Sequence, residues 1–163
     1  MQLPDAELLL DALVASIAPD VTAETAMVGI YTGGAWLAER LHQALGLTVP
    51  LGTLDISFYR DDYSKSGLHP EVKPSKIPFE VENRHILLVD DVLYTGRTVR
   101  GAMNELFDYG RPAKIHLVVA VDRRERELPI CPQYAGANLS VPHGQMLRLG
   151  RDDAGRLAFR LTS

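Results

Sequence analysis

The sequence predicts an α/β fold with a mainly parallel central sheet flanked by helices, in a single domain over residues 1–163. Apolar runs alternate with amphipathic helical segments along the chain, which is typical of a sheet covered on both sides. Residues 86–89 are continuously apolar, and residues 115–121 are apolar except for His116, as strands buried on both faces are. A chain of 163 residues, 46% of them hydrophobic, is long enough to bury a core of its own.

The first third of the chain predicts two helices and two strands. They are a helix over residues 5–18, a strand over 26–31, a helix over 35–45 and an extended strand over 49–59. The first helix has a leucine-rich face, with Asp5 as its expected N-cap and Pro19 at its end. Gly46 is the expected C-cap of the second helix.

Residues 60–78 have a different character from the rest of the chain. They are rich in charge, contain three prolines and show no sustained period. A stretch of about twenty residues is more than a compact domain usually leaves unstructured. We therefore expect a mobile functional loop or hairpin here.

The second half of the chain predicts further strands around one helix. They are a strand over residues 86–89, a helix over 97–109, a strand over 115–121, a short strand at 140–141 and a terminal hairpin of 145–150 with 156–161. The helix is expected to turn Val99, Met103, Leu106 and Phe107 inward.

Charge and composition exclude several classes of protein. The 17 basic and 21 acidic residues give a net charge of −4, so no overall basic field attracts nucleic acid. The single cysteine, Cys131, excludes a disulfide framework, and we expect it to be a small packed residue. No apolar run reaches the roughly 20 residues of a membrane span, and no basic residue precedes Arg40. We expect a soluble cytoplasmic protein, and we assign none of its histidines to a metal.

The most specific motif is the run ILLVDDVLYTGRT at residues 86–98. An apolar strand leads to Asp90 and Asp91, and in open α/β sheets ligands bind beyond the carboxyl ends of strands. Two threonines and a glycine then open a helix, and this combination suits a phosphate group. The carboxylates suit a sugar diol, directly or through Mg²⁺. The alternative is that the aspartates only cap the helix or face solvent. Neither a P-loop nor a GxGxxG motif occurs.

This run resembles the 5-phosphoribosyl 1-diphosphate (PRPP) signature of type I phosphoribosyltransferases. The segments around it are similar to those of the PyrR family, which are pyrimidine-operon attenuation proteins and uracil phosphoribosyltransferases. The segments that carry the resemblance are residues 55–62, 99–100, 110–112, 121–123 and 126–130. The resemblance covers about residues 5–161 and implies the type I fold, with a small hood and a flexible loop.

The resemblance also implies a role for each part of the run. Asp90 and Asp91 would be the catalytic residues and would hold the ribose 2′- and 3′-hydroxyls. Residues 94–98 would hold the 5′-phosphate through threonine hydroxyls and backbone amides. The complete PRPP-binding set is Asp90, Asp91, Val92, Leu93, Tyr94, Thr95, Gly96, Arg97 and Thr98.

Thr32, Gly33 and Gly34 match the pyrophosphate loop of the family. Gly33 stands where a well-known version of the family has arginine. The pyrophosphate contacts are therefore expected from backbone amides, from Mg²⁺, or from a cation such as Arg60 or Lys65 on the flexible loop.

Arg123 follows the second buried strand, and the resemblance places it in the base pocket. The cluster RRER at residues 123–126 has a second interpretation as a solvated charge run.

The reaction that the resemblance implies is uracil plus PRPP giving UMP plus diphosphate, with Mg²⁺, in a homo-oligomer. A role in regulating pyrimidine biosynthesis genes belongs to the same family. Two alternatives are a UMP-responsive RNA-binding attenuator with little catalysis and a type I transferase for a purine base. Residues 1–39 contain six acidic residues and no lysine or arginine, which disfavours RNA binding there.

Overall fold

The computed structural model describes residues 1–56 and 75–163. Its elements are α1 (Ala6–Ile17), a 3-10 turn (Ala18–Asp20), β1 (Ala26–Ile30), α2 (Gly33–Leu45), β2 (Gly52–Leu54), β3 (His85–Leu93), α3 (Arg97–Tyr109), β4 (Lys114–Asp122), β5 (Tyr134–Asn138), β6 (Met146–Arg151) and β7 (Leu157–Thr162). Strands β1 to β5 form a parallel sheet in the order β2-β1-β3-β4-β5. Strands β6 and β7 form a separate antiparallel hairpin.

The sheet has a hydrophobic core on each face, as its continuous apolar strands predict. Leu87 of β3 packs on one face with α1, α2 and the β6–β7 hairpin. Leu88 packs on the other face with α3. The confirmed α/β architecture therefore fixes β3, which carries the two aspartates, at the centre of the sheet.

The β6–β7 hairpin is fastened to the helices by a polar contact as well as by the core. Glu7 of α1 receives two hydrogen bonds from the Arg40 guanidinium of α2, the shorter of them 2.6 Å long. The same carboxylate accepts the backbone N–H of Leu157 at 2.9 Å, and Arg40 donates to the carbonyl of Gly155. The hydrogen bond from Arg40, and after it the bond from the Leu157 backbone, hold the pKa of Glu7 below its usual value.

The three predicted helices and the terminal hairpin are confirmed, but some boundaries differ. Strand β3 continues past residue 89 to Leu93, because its ladder with β4 extends to Asp122. Helix α2 begins at Gly33, two residues earlier than expected. Of the predicted strand over residues 49–59, the structure shows β2, and residues 57–59 lie outside the described part.

Three predictions for the second half were wrong. Residues 140–141 form no strand, and the fifth strand is Tyr134–Asn138, where Gly136 allows close contact with the carbonyl of Ala120. Phe107 is 55% exposed, because it lies about 100° around the helix from the buried Leu106. Cys131 is exposed rather than packed.

Candidate active site

The carboxyl ends of β1, β3 and β4 bring the predicted site residues to one edge of the sheet. The Thr32-Gly33-Gly34 loop follows β1, residues 94–98 follow β3, and Arg123 follows β4. The three strands are neighbours, so these segments converge although up to 91 residues separate them in sequence. This edge is where parallel α/β sheets bind ligands.

Asp90 and Asp91 lie in the second half of strand β3, and each carboxylate accepts a hydrogen bond from a backbone N–H. Oδ1 of Asp90 accepts the N–H of Asp91 at 2.9 Å, and Oδ1 of Asp91 accepts the N–H of Val92 at 2.8 Å. Asp90 is 7% exposed, whereas Asp91 is partly exposed. The alternative that the pair caps the helix is not what the structure shows, because the N-cap of α3 is Gly96. The two carboxylates have fixed positions instead.

The turn at residues 94–98 has the form of an anion site. Gly96 has a φ of 100°, a conformation that favours glycine, and α3 begins at the next residue. The buried Thr95 accepts the N–H groups of Glu127 and Leu128 through its carbonyl, at 2.9 and 3.1 Å. Its hydroxyl accepts the N–H of Arg97 at 3.2 Å. These hydrogen bonds fix the turn, and the N-terminus of α3, which is the positive end of the helix dipole, follows it directly.

The segment Thr32-Gly33-Gly34, which keeps the name glycine loop although its glycines form the first turn of α2, lies directly against the aspartates. A Cβ built on Gly33 would be 2.7 Å from Cγ of Asp91 and closer still to its Oδ2. A Cβ on Gly34 would be 2.6 Å from the carbonyl oxygen of Val89 and 2.9 Å from Cα of Asp90. Both glycines are therefore needed for the close approach of α2 to β3. The sequence predicted the loop, but only the structure shows that it touches the carboxylates.

Arg123 is buried beside the turn at residues 94–98. It is 4% exposed, and its guanidinium stacks on the Tyr94 ring, 3.9 Å from the centroid. Its Nη2 donates to Glu125 at 3.2 Å, and its Nη1 donates to the carbonyl of Gln145 at 3.5 Å. The interpretation of residues 123–126 as a fully solvated run is therefore wrong at Arg123. The contact with Gln145 was not predicted, because the two residues lie 22 positions apart on separate elements.

The neighbouring charges are mostly paired with one another. Arg126 donates to both oxygens of the buried Asp122 at 2.8 Å. Asp122 also accepts the N–H of Arg124 at 2.8 Å. This pairing fixes the chain that directly follows β4.

The remaining predictions concern the cations of the flexible loop, a metal site and a membrane span. Arg60 and Lys65 lie outside the described residues. In residues 1–56 and 75–163, no three His, Cys, Asp or Glu side chains gather as a metal site would require. Within the same ranges, no helix is long and apolar enough to cross a membrane.

Comparison with known proteins agrees with this geometry. Residues 3–136 match the family model of the phosphoribosyl transferase domain. The chain is 50% identical over 153 residues to the bifunctional protein PyrR of Pseudomonas fluorescens, covering 91% of each chain. It is 52% identical to the PyrR protein of Pseudomonas putida, covering 91% of this chain and 89% of that one. Among solved structures, a hypoxanthine phosphoribosyltransferase from Staphylococcus aureus superposes with a TM-score of 0.66 at 21% identity, over 85% of this chain and 77% of that one, a likeness of fold.

Proposed function

Because the chain belongs to the PyrR family of phosphoribosyltransferases, we propose that it transfers the phosphoribosyl group of PRPP to uracil, giving UMP and diphosphate. The observation that carries the proposal is the convergence of two fixed carboxylates, a phosphate turn and a glycine loop at one edge of the sheet. Phosphorylated substrates do not cross membranes unaided, so we place the activity in the cytoplasm.

Asp90 and Asp91 hold the ribose ring in this proposal. Their carboxylates accept hydrogen bonds from the 2′- and 3′-hydroxyls. The transition state of the reaction resembles an oxocarbenium ion, and nearby negative charge stabilises the positive charge that develops on the ring. Because the backbone already holds one oxygen of each carboxylate, little reorganisation accompanies the reaction.

The phosphates are held on either side of the ribose. The 5′-phosphate is bound by the turn that contains Thr95, Gly96 and Thr98, with the N-terminus of α3 supplying N–H donors. The diphosphate is bound by the backbone of the glycine loop. Arg60 and Lys65 are the cations that we propose to supplement it, in place of the arginine that Gly33 replaces.

Mg²⁺ is the cofactor that we propose to accompany PRPP. The site offers oxygen donors from two adjacent carboxylates and lacks a closed cage among the described residues. This donor set fits Mg²⁺, which is usually bound by one or two carboxylates together with substrate phosphates. When bound, the ion neutralises charge on the diphosphate. Asp90 and Asp91 are the residues that would hold it, directly or through water.

Arg123 lies on the base side of the site in this proposal. Its guanidinium is fixed by the Tyr94 ring and by Glu125, so its N–H groups are fixed donors. A guanidinium can only donate hydrogen bonds, and ring carbonyls of a base are suitable acceptors.

Steady-state turnover of the wild-type protein with PRPP and Mg²⁺ tests the proposal. The bases to compare are uracil, cytosine, hypoxanthine and guanine, and the products are identified by chromatography. We expect UMP formation from uracil, with the other bases at least 100-fold poorer in kcat/KM. Turnover of a purine without turnover of uracil would contradict the proposal and favour the alternative of a purine transferase.

A further inference from the structure

The backing segment, residues 127–130, packs against the phosphate turn, residues 94–98. The N–H groups of Glu127 and Leu128 both donate to the carbonyl of Thr95, at 2.9 and 3.1 Å. Thr95 is buried, and a buried carbonyl that lost these donors would be left unsatisfied. The backbone of the backing segment therefore holds the backbone of the phosphate turn.

Gly96 of the phosphate turn packs closely on the same segment. A Cβ built on Gly96 would lie 3.1 Å from Cγ1 of Ile130 and 3.4 Å from Cβ of Leu128. The N–H of Ile130 donates to the carbonyl of Leu128 at 2.8 Å, so the segment is compact in itself. Because Gly96 is the N-cap of α3, a shift of the backing segment would also disturb the start of that helix.

Asp122 and Arg126 fasten the backing segment to strand β4. Nη1 of Arg126, the residue directly before the segment, donates to both carboxylate oxygens of Asp122 at 2.8 Å. Oδ1 of Asp122 also accepts the N–H of Arg124, which has a φ of 62°. Residues other than glycine adopt such a φ only where the surrounding contacts hold it. The buried Asp122 carboxylate therefore holds the path by which the chain leaves β4 and reaches the phosphate turn.

We propose that Arg126 is a positioning residue for the 5′-phosphate. Its ion pair with Asp122 holds the backing segment, and the segment holds Thr95 and Gly96. The phosphate turn then presents its N–H donors in an arrangement that is fixed before the substrate binds. Donors that are fixed in advance lose less conformational freedom on binding than mobile ones. Arg126 acts through Asp122 and the backing segment, without contact with the substrate. The inference rests on the proposed function and adds to it a residue that keeps the phosphate site in shape.

Three substitutions separate positioning from stability. Arg126→Gln removes the cation of the pair, and Asp122→Asn removes its anion while keeping an oxygen for the N–H of Arg124. Arg40→Gln is the matched control, because Arg40 also pairs with a carboxylate, that of Glu7 at 2.6 Å, but fastens the β6–β7 hairpin instead. We expect all three variants to have a lower melting temperature than the wild type, because each leaves a partly or fully buried charge without its partner or loses its hydrogen bonds.

The measurement is the affinity for UMP and for uridine by calorimetry, because these two ligands differ only in the 5′-phosphate. We expect Arg126→Gln and Asp122→Asn to weaken UMP binding by about 10- to 100-fold and to leave the affinity for uridine unchanged. The KM for PRPP should rise by a similar factor, with an unchanged KM for uracil. Combining the two substitutions should add little, since both break the same pair. Arg40→Gln should keep the wild-type ratio of UMP affinity to uridine affinity.

The same ratio decides against the inference. An Arg126→Gln protein with the wild-type ratio would overturn the role of Arg126, whatever its melting temperature. If Arg126→Gln does not fold, an Asp122→Asn protein with the wild-type ratio would overturn it equally. A wild-type protein that binds UMP no more tightly than uridine would instead overturn the phosphate site, and the proposed function with it.

Discussion

Gly33 offers the sharpest test of how the site is built. Gly33→Ala adds one methyl group at the first residue of α2. That methyl carbon would lie 2.7 Å from Cγ of Asp91 and 3.1 Å from its Cβ, so the carboxylate must move. Asp91 is a short side chain that already accepts the N–H of Val92 at 2.8 Å, so its rotation also breaks this bond.

The size of the effect on catalysis follows from the hydrogen bond that the displaced Asp91 carboxylate would no longer accept from a ribose hydroxyl in the proposed site. A hydrogen bond to a charged group contributes about 1.5–3 kcal/mol. At about 1.4 kcal/mol for each factor of ten, kcat/KM for PRPP should fall roughly 10- to 150-fold. The free energy of unfolding should fall by about 1–2 kcal/mol, because the lost bond between Asp91 and Val92 outweighs the roughly 0.4–1 kcal/mol gained from the lower entropy of the unfolded chain.

Initial rates of UMP formation at varied PRPP measure this effect, and thermal unfolding reports on the fold. Gly150→Ala is the control, since a Cβ there meets only Ala158 at an ordinary 3.6 Å, and it should behave like the wild type. If Gly33 acts through Asp91, then Gly33→Ala should have little further effect in an Asp91→Ala background. A Gly33→Ala enzyme with a PRPP kcat/KM within twofold of wild type would refute the reasoning.

Three further predictions concern the carboxylates, the hairpin and RNA. Asp90→Asn and Asp91→Asn should each lower kcat/KM by about ten- to a few hundred-fold with an unchanged melting temperature, and wild-type kinetics would mean that the pair has no catalytic part. Glu7→Gln should cost about 1 kcal/mol in free energy of unfolding near pH 7. Because the Arg40 bond lowers the pKa of Glu7, that difference should be fully present above the ordinary value of 4.5 and should decline as the pH falls from there through the lowered value, and a series of denaturant titrations from pH 7 down into the acid range will measure the decline. Binding to a pyrimidine-operon leader RNA should be weak and independent of UMP, because residues 1–39 carry no basic side chain, and a tight, UMP-stimulated, salt-sensitive complex would contradict this.

The sequence predicted the central elements of the fold because their signals are local. Helix α3 has the predicted bounds, since Gly96 and Gly110 flank a clear amphipathic period. The strand Tyr134–Asn138 was missed because its sequence, YAGAN, has little β-propensity and its place depends on pairing with β4. Phe107 was assigned to the core because period alone does not show how wide the buried face is.

The site divides in the same way between local and long-range information. Asp90, Asp91 and the phosphate turn lie on one continuous segment, so the motif identifies them together. The contact of Gly33 with Asp91 joins residues 58 positions apart, and the contact of Arg123 with Gln145 joins a strand end to a hairpin. Contacts of this kind depend on the packing of separate elements, and no spacing in the sequence encodes them.

The arrangement also separates the reaction from the choice of base. The groups assigned to PRPP are fixed by strands β1 and β3, the backbone bonds of two carboxylates and the close approach of two glycines. The groups assigned to the base lie where Arg123 meets the β6–β7 hairpin, which is held by the core and by Glu7 and Arg40. The hypoxanthine phosphoribosyltransferase of Staphylococcus aureus shares the fold at only 21% identity, so the same frame serves a protein named for a different base. In the proposed function, the strand-end residues therefore carry out the phosphoribosyl transfer, whereas the hairpin side of the site selects the base.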